Sequence, residues 1–402
     1  MPTHPSSTLE PQAVPAPATP AAPPEDTAVP QHSAAAAADA AVPQDSAAQA
    51  RQGRFASRVE VGILGATGTV GQRFVQLLEG HPWFDLRWLA ASDRSAGRRY
   101  DEATSWQLPG APPAALGGQT VEECVPGRGP RVVFSSMSGT RAGEIESAFA
   151  AAGHLVISNS SHFRMAPDVP LLVPEINPGH LGLLPVQRRR RGWEGAIVTN
   201  PNCAAVVLVM ALAPLRRFGI RRVLVSTLQA VSGAGYPGVP SLDILGNVVP
   251  FIGGEEPKVE SEPQKILGDL DEEAVRPLPF AVSASCHRVA AIDGHLISAS
   301  IEFAEKPRRE ELLAALAGFS GLPQERRLPT APRHPIHVMD APDRPQTRKD
   351  AGLENGMATA VGRVRDCPVL HYKLVALSHN VMRGAAGAAL LNAELMASEG
   401  LL

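Results

Sequence analysis

Cysteine is scarce in this 402-residue chain, and so is lysine. The four cysteines, Cys124, Cys203, Cys286 and Cys367, are scattered, with no CxxC pair and no histidine at metal-ligand spacing. That argues against a disulfide framework or a zinc site and suits a reducing, cytoplasmic setting. Aromatic residues make up 4% of the chain, and no uninterrupted apolar run reaches the ~18 residues that cross a bilayer. The formal net charge is −3, so no global field draws the protein to nucleic acid or to an anionic membrane.

The first 55 residues also lack something. They are rich in alanine and proline and hold no aromatic residue before Phe55. Such a segment cannot bury enough apolar surface to offset its ordering entropy, and a disordered tail over 1–55 is expected. It has no charged start and apolar core of a signal peptide, and Glu10, Glu25, Asp26 and Asp39 precede its first arginine, Arg51, against a transit peptide.

What is present begins at Val59. Val59, Val61, Ile63 and Leu64 form an apolar strand, Gly65 to Gly71 (GATGTVG) a glycine turn, and Val70, Phe74, Leu77 and Leu78 the stripe of an amphipathic helix. Between such a strand and helix, a GxxGxxG turn is a dinucleotide fingerprint, because small residues let the backbone approach a pyrophosphate at the helix N-terminus. The next strand (86–92) runs into SDRSAG, where Ser92, Arg94 and Ser95 favour the 2′-phosphate of NADP, while Asp93 leaves NAD open. Strands at 131–139, 154–161, 171–173 and 196–198 continue the βα alternation of a doubly wound parallel sheet. Ser135, Ser136 and Asn159, at carboxyl strand ends, are expected beside a nicotinamide. Beyond residue 203 come long strands at 221–230, 295–303, 357–365 and 370–377 with irregular connections, which suggest a second, mixed α+β domain. The last helix carries a small-residue face (Gly384, Ala385, Gly387, Ala388) expected to pack back on the first domain.

Cys203 follows the polar elbow Thr199-Asn200-Pro201-Asn202 and opens an apolar helix. Unpaired N–H groups and the macrodipole of a first turn favour an anion there, so a lowered thiol pKa and a nucleophilic thiolate are expected. The stretch SASCHRVAAIDGHLISASIEF reads as a β-hairpin turning at Asp293-Gly294. In that register Arg288 and His295 share a face, one suited to a carboxylate and the other to proton transfer, and His287 points away. Gln229 stands at a strand end, and Glu255 and Lys258 lie three apart in a Gly/Pro-rich stretch, Lys258 as a candidate phosphate contact. The basic run QRRRRGW (187–193) reads as a solvated loop, and the two histidines of HPIHVMD lack a third metal ligand.

The blocks GATGTVGQRF, SDRSAG, VTNPNC, LQAVSGAGYPGVPSLDI, GGEEPKVESEPQKIL, CHRVAAIDGH and ALSHNVMRGAAG, in that order, closely resemble the aspartate-semialdehyde dehydrogenases, in the branch typical of archaea and fungi. The likeness covers about residues 57–400. It implies a Rossmann-type NADP-binding domain over 56–202 and 380–402, and a catalytic and dimerisation domain over 203–379. It makes Cys203 the acyl-thioester nucleophile and His295 the general acid/base. Arg288, Gln229, Glu255 and Lys258 become substrate-binding. Gly65, Thr67, Gly68, Thr69, Val70, Gly71, Ser92, Arg94, Ser95, Ser135, Ser232, Gly233 and Asn380 become contacts of NADP. The implied reaction is the NADPH-dependent reductive dephosphorylation of L-4-aspartyl phosphate to L-aspartate 4-semialdehyde, on the way to lysine, threonine and methionine. The implied partners are small-molecule substrates, with a homodimer or homotetramer as the assembly. An acyl-CoA reductase such as malonyl-CoA reductase on the same scaffold, and a silent NADP-binding regulator, are the alternatives. Three positions depart from the family pattern: Ala204 after the cysteine, Phe163 between His162 and Arg164, and Ala290 after HRV.

Overall fold

The structure is a computed structural model and describes residues 57–137 and 141–402. The Ala/Pro-rich tail lies outside the described residues. Eighteen elements matter for the site. They are β1 (Val59–Leu64), α1 (Thr69–Leu78), β2 (Phe84–Ala91), β3 (Glu122–Glu123), β4 (Val132–Ser135), α2 (Ala142–Ala151), β5 (Leu155–Ser158), α3 (Leu183–Arg191) and β6 (Ala196–Thr199). Then come α4 (Cys203–Leu212), β7 (Ile220–Gln229), α5 (Glu256–Ile266), β8 (Ala281–Arg288), β9 (His295–Phe303), β10 (Ile336–Met339), β11 (Thr359–Asp366), β12 (Tyr372–Ser378) and α6 (Gly387–Ser398).

The first six strands form one parallel sheet in the order β3-β2-β1-β4-β5-β6. Its strands are apolar on both sides because both faces are covered, as a parallel sheet with crossover helices requires. Val61, Ile63, Val132, Phe134, Leu155 and Ile157 pack into one core with Phe74 of α1 and Leu390 and Leu391 of α6. The alternate residues Leu64, Val133 and Val156 pack with Phe149 of α2 on the other face. The doubly wound expectation holds, and α6 does return to this sheet. The 171–173 segment is no strand: it contributes one isolated bridge, Leu171 to Thr199. The arginine run is no loop either, but the last turn of α3, closed by Gly192 in the left-handed region.

The second sheet is mixed, in the order β8-β7-β9-β12-β11-β10. This overturns the hairpin expected from Asp293-Gly294. β8 pairs parallel with β7, β9 pairs antiparallel with β7, and β7 therefore stands between them. A tight turn sequence fixes the reversal of the chain but not its neighbour, and residues 289–294 are enough chain to step over one strand at ~4.8 Å spacing. β7 buries Val223, Val225 and Thr227 on the face toward α4 and α5, while Leu224 and Leu228 stay exposed on the other. From Ala204 to Leu212 every residue of α4 is buried, which explains its apolarity on all sides: it is an internal helix covered by the mixed sheet.

Candidate active site

A cleft of about 1170 Å³ runs from the N-terminus of α1 to the N-terminus of α4. Thr67, Gly68, Thr69 and Val70 line one end; Cys203, Arg288, Ser232, Gly233, Glu255, Lys258 and Asn380 line the other. Among the described residues no group of three or more His, Cys, Asp or Glu side chains gathers to hold a metal ion.

At the α1 end the geometry suits a pyrophosphate. Gly68 stands at the N-cap position and no side chain caps the helix. Gly65 has φ +81, and a β-carbon on Gly71 would lie 2.3 Å from the Gly65 carbonyl oxygen, so only glycine lets this turn close. Ser92, Arg94 and Ser95 follow β2 in a turn closed by the Ser95 N–H to the Ser92 carbonyl at 2.8 Å, away from the residues that line the cleft. Ser136 and Asn159 line the cleft, as expected of them, but Ser135 does not. Its hydroxyl is fully buried and donates at 2.7 Å to Glu146, a carboxylate that also takes Ser158 and Ser160 and whose pKa burial raises. Ser135 fastens α2 to the sheet instead of facing a cofactor.

Cys203 is the first residue of α4 and is partly buried. Two amides of the expected anion-stabilising first turn are taken. The Asn202 side chain caps α4, its Oδ1 accepting from the Ala204 and Ala205 N–H groups at 2.9 and 3.0 Å. With those amides used, burial and the neighbouring Glu255 carboxylate push the thiol up to about 12, against the pull of Arg164 and Arg288. The expectation of a lowered thiol pKa is therefore corrected: the surroundings of the sulfur raise it.

The imidazole behind the cleft wall is likewise shifted toward its neutral form. His295 is fully buried, and burial, reinforced by Arg288, pulls its pKa down to about 3. The Ala230 N–H donates to Nδ1 at 3.1 Å, which puts the ring proton on Nε2. Nε2 has no hydrogen-bond partner among the described residues. A β-carbon on Gly233 would lie 3.1 Å from Nε2 and 3.0 Å from Arg288 Nη1. The imidazole and the guanidinium thus meet at Gly233, on the cleft wall, although they stand on strands separated by β7. Arg288 Nη1 also donates to the Ala230 carbonyl at 2.8 Å. His287 bonds the Thr227 carbonyl through Nδ1 at 3.2 Å, away from this point.

The other expected residues divide. Asn380 accepts from the Gly294 N–H and donates to the Ser232 hydroxyl, both at 2.8 Å, so it ties the turn before His295 to the Ser232-Gly233 loop. Gln229 is buried behind the cleft and donates to Thr227 at 3.2 Å. Lys258 and Glu255 form an ion pair at 3.4 Å on the cleft wall. Arg164 also lines the cleft despite the inserted Phe163, held by Glu262. Residue types alone did not point to Asn202 or Glu262. The polar elbow before an apolar helix was the available clue to the cap; nothing local singles out Glu262 in an acidic helix.

The comparisons with known proteins agree on one family. The semialdehyde dehydrogenase NAD-binding domain matches residues 60–183 and the semialdehyde dehydrogenase dimerisation domain matches 212–383. The chain is 49% identical to an aspartate-semialdehyde dehydrogenase of Archaeoglobus fulgidus over 86% of its own length and all of the relative's. It is 47% identical to that of Cryptococcus neoformans, over 86% and 98% of the two chains. The crystal structure of the Candida albicans aspartate-semialdehyde dehydrogenase with NADP superposes with a TM-score of 0.79 at 39% identity, covering 86% of this chain and 100% of that one.

Proposed function

The chain belongs to the aspartate-semialdehyde dehydrogenase family, and from that premise we propose how its own residues carry out the reaction. The observation that carries the proposal is a thiol and a guanidinium on the same cleft as an uncapped helix N-terminus, with a donor Nε2–H directly behind the cleft-lining Gly233.

Written in the oxidative direction, Arg288 takes the α-carboxylate of aspartate semialdehyde and sets the aldehyde carbon against Cys203. The sulfur adds to that carbon. His295 gives its Nε2 proton to the carbonyl oxygen and receives the thiol proton in exchange, so the imidazole is neutral before and after. This swap suits a histidine whose protonation burial opposes and a thiol that does not ionise at rest. The adduct's hydroxyl proton then passes to water in the cleft as the hydride departs and the carbonyl re-forms to a thioester. The turn Thr67 to Gly71 would hold NADP by its pyrophosphate, and Ser92, Arg94 and Ser95 after β2 are the candidates for its 2′-phosphate; when bound it would accept the hydride in this direction and supply it in the biosynthetic one. Inorganic phosphate, guided by Lys258, attacks the thioester carbon, the sulfur leaves, and aspartyl phosphate forms. In the cell the reverse sequence reduces aspartyl phosphate in the cytoplasm, toward lysine, threonine and methionine.

We assign residues 56–202 with 380–402 to cofactor binding, and 203–379 to catalysis and pairing of two copies. The exposed side of β7, with Leu224 at 48% and Leu228 at 40% exposure, supports that pairing face. Phosphate-dependent reduction of NADP+ by the full chain with aspartate semialdehyde tests the reading. Turnover that needs coenzyme A in place of phosphate, or no turnover at all, would overturn it.

A further inference from the structure

We propose that Glu262 is a positioning residue that sets the nucleophile and Arg164 in register with each other; this rests on the reading of Cys203 as nucleophile given above. Glu262 is 1% exposed and lies on the stripe of α5 that carries Lys258 and Lys265. Its two oxygens reach in two directions. Oε2 accepts the backbone N–H of Asn202 at 2.5 Å, the residue directly before Cys203. Oε1 accepts from Arg164 Nη1 at 3.1 Å, and Arg164 Nη2 in turn donates to the Asn159 carbonyl at 2.8 Å. One buried carboxylate therefore fixes the height of the elbow and the aim of a cleft-lining guanidinium.

The side chain of Asn202 is fixed independently, by Glu255 Oε1 at 2.8 Å from its Nδ2 and by the two capped amides. Among the described residues, Glu262 alone holds the Asn202 backbone N–H. That amide precedes the helix, so no i−4 carbonyl holds it, and a buried amide left alone is costly. Burial raises the Glu262 carboxyl, and Arg164 is the largest influence favouring its ionised form. The arrangement also moderates charge at the sulfur. Glu255, just before α5, raises the thiol, Arg164 from the loop after β5 and Arg288 from β8 lower it, Lys258 of α5 lines the same cleft, and Glu262 pairs with Arg164. Arg164 acts on the thiol as a cation, and Glu262 offsets that cation.

Glu262→Gln keeps the shape and removes the charge, and its amide must then present a donor to one of two donors. In the full chain, kcat for phosphate-dependent NADP+ reduction is expected to fall by about 30-fold, with KM for NADP+ within about twofold. The pH midpoint for alkylation of Cys203 by iodoacetamide is expected to move down, because Arg164 is no longer offset. Glu262→Asp retains the charge and should restore the midpoint while its shorter reach leaves kcat reduced. A purely structural role would lower thermal stability and leave the midpoint in place. A Glu262→Gln protein with wild-type kcat, or with an unmoved midpoint, overturns the proposal. Should that variant fail to fold, Glu262→Asp decides alone: a kcat about tenfold down at unchanged KM for NADP+ upholds it, and an unchanged kcat overturns it. An inactive wild-type chain would count against the family reaction, not against this residue.

Discussion

Two helices point their N-termini into one cleft, and they are finished differently. α1 begins at Gly68 with no side-chain cap, while α4 begins at Cys203 under an asparagine that takes two of its free amides. The open end is a seat for an anion that arrives with a ligand. The closed end leaves the sulfur its own backbone N–H but not the two amides that follow it. Burial and Glu255 therefore oppose ionisation of the Cys203 thiol at this end.

Removing the sulfur is the largest perturbation of this contrast. Cys203→Ala should lower turnover by about 10⁴-fold or more, while NADP+ binding, measured by fluorescence titration, stays within about threefold. Weakened binding of similar size would mean that the two ends are not separate devices. Gly71→Ala attacks the open end. Its methyl would stand 2.3 Å from the Gly65 carbonyl, and we expect NADP+ affinity to drop by about 10- to 100-fold. The alkylation profile of Cys203 should not change. The finest test opens the closed end. In the wild-type free enzyme, alkylation should rise about tenfold per pH unit with no plateau below about pH 10, since a thiol raised to about 12 ionises only in alkali. Asn202→Ala frees two amides and should shift that rise to lower pH, at about 1 kcal/mol of stability read from thermal unfolding. A wild-type plateau near neutrality would remove the contrast altogether.

Much of this was legible in the chain before any coordinates. The strand, glycine turn and helix of residues 59–78 follow from periodicity and from small residues at fixed offsets, both local properties. The pairing of β8 with β7 was not legible, because Asp293-Gly294 encodes a turn and says nothing about which strand fills the space beside it. Arg288 and His295 still meet, by way of the Gly233 loop and not across a shared hairpin face. The protonation of Cys203 was misread for a related reason. Helix position is local, but the cap on its amides and the carboxylate of Glu255 come from elsewhere in space. Ser135 likewise looked outward from a strand end and is claimed by Glu146 on the helix that follows.

The end of the chain enters this machinery too. Residues Met382–Ala386 form a π-helical turn leading into α6, and a β-carbon on Gly384 would lie 2.7 Å from the β-carbon of Cys203. Past that turn α6 is buried almost throughout, and Leu401 and Leu402 pack against the nucleotide-side core. This last helix is thus a keystone: prying it loose would slacken the wall behind the Cys203 side chain from more than a dozen residues away.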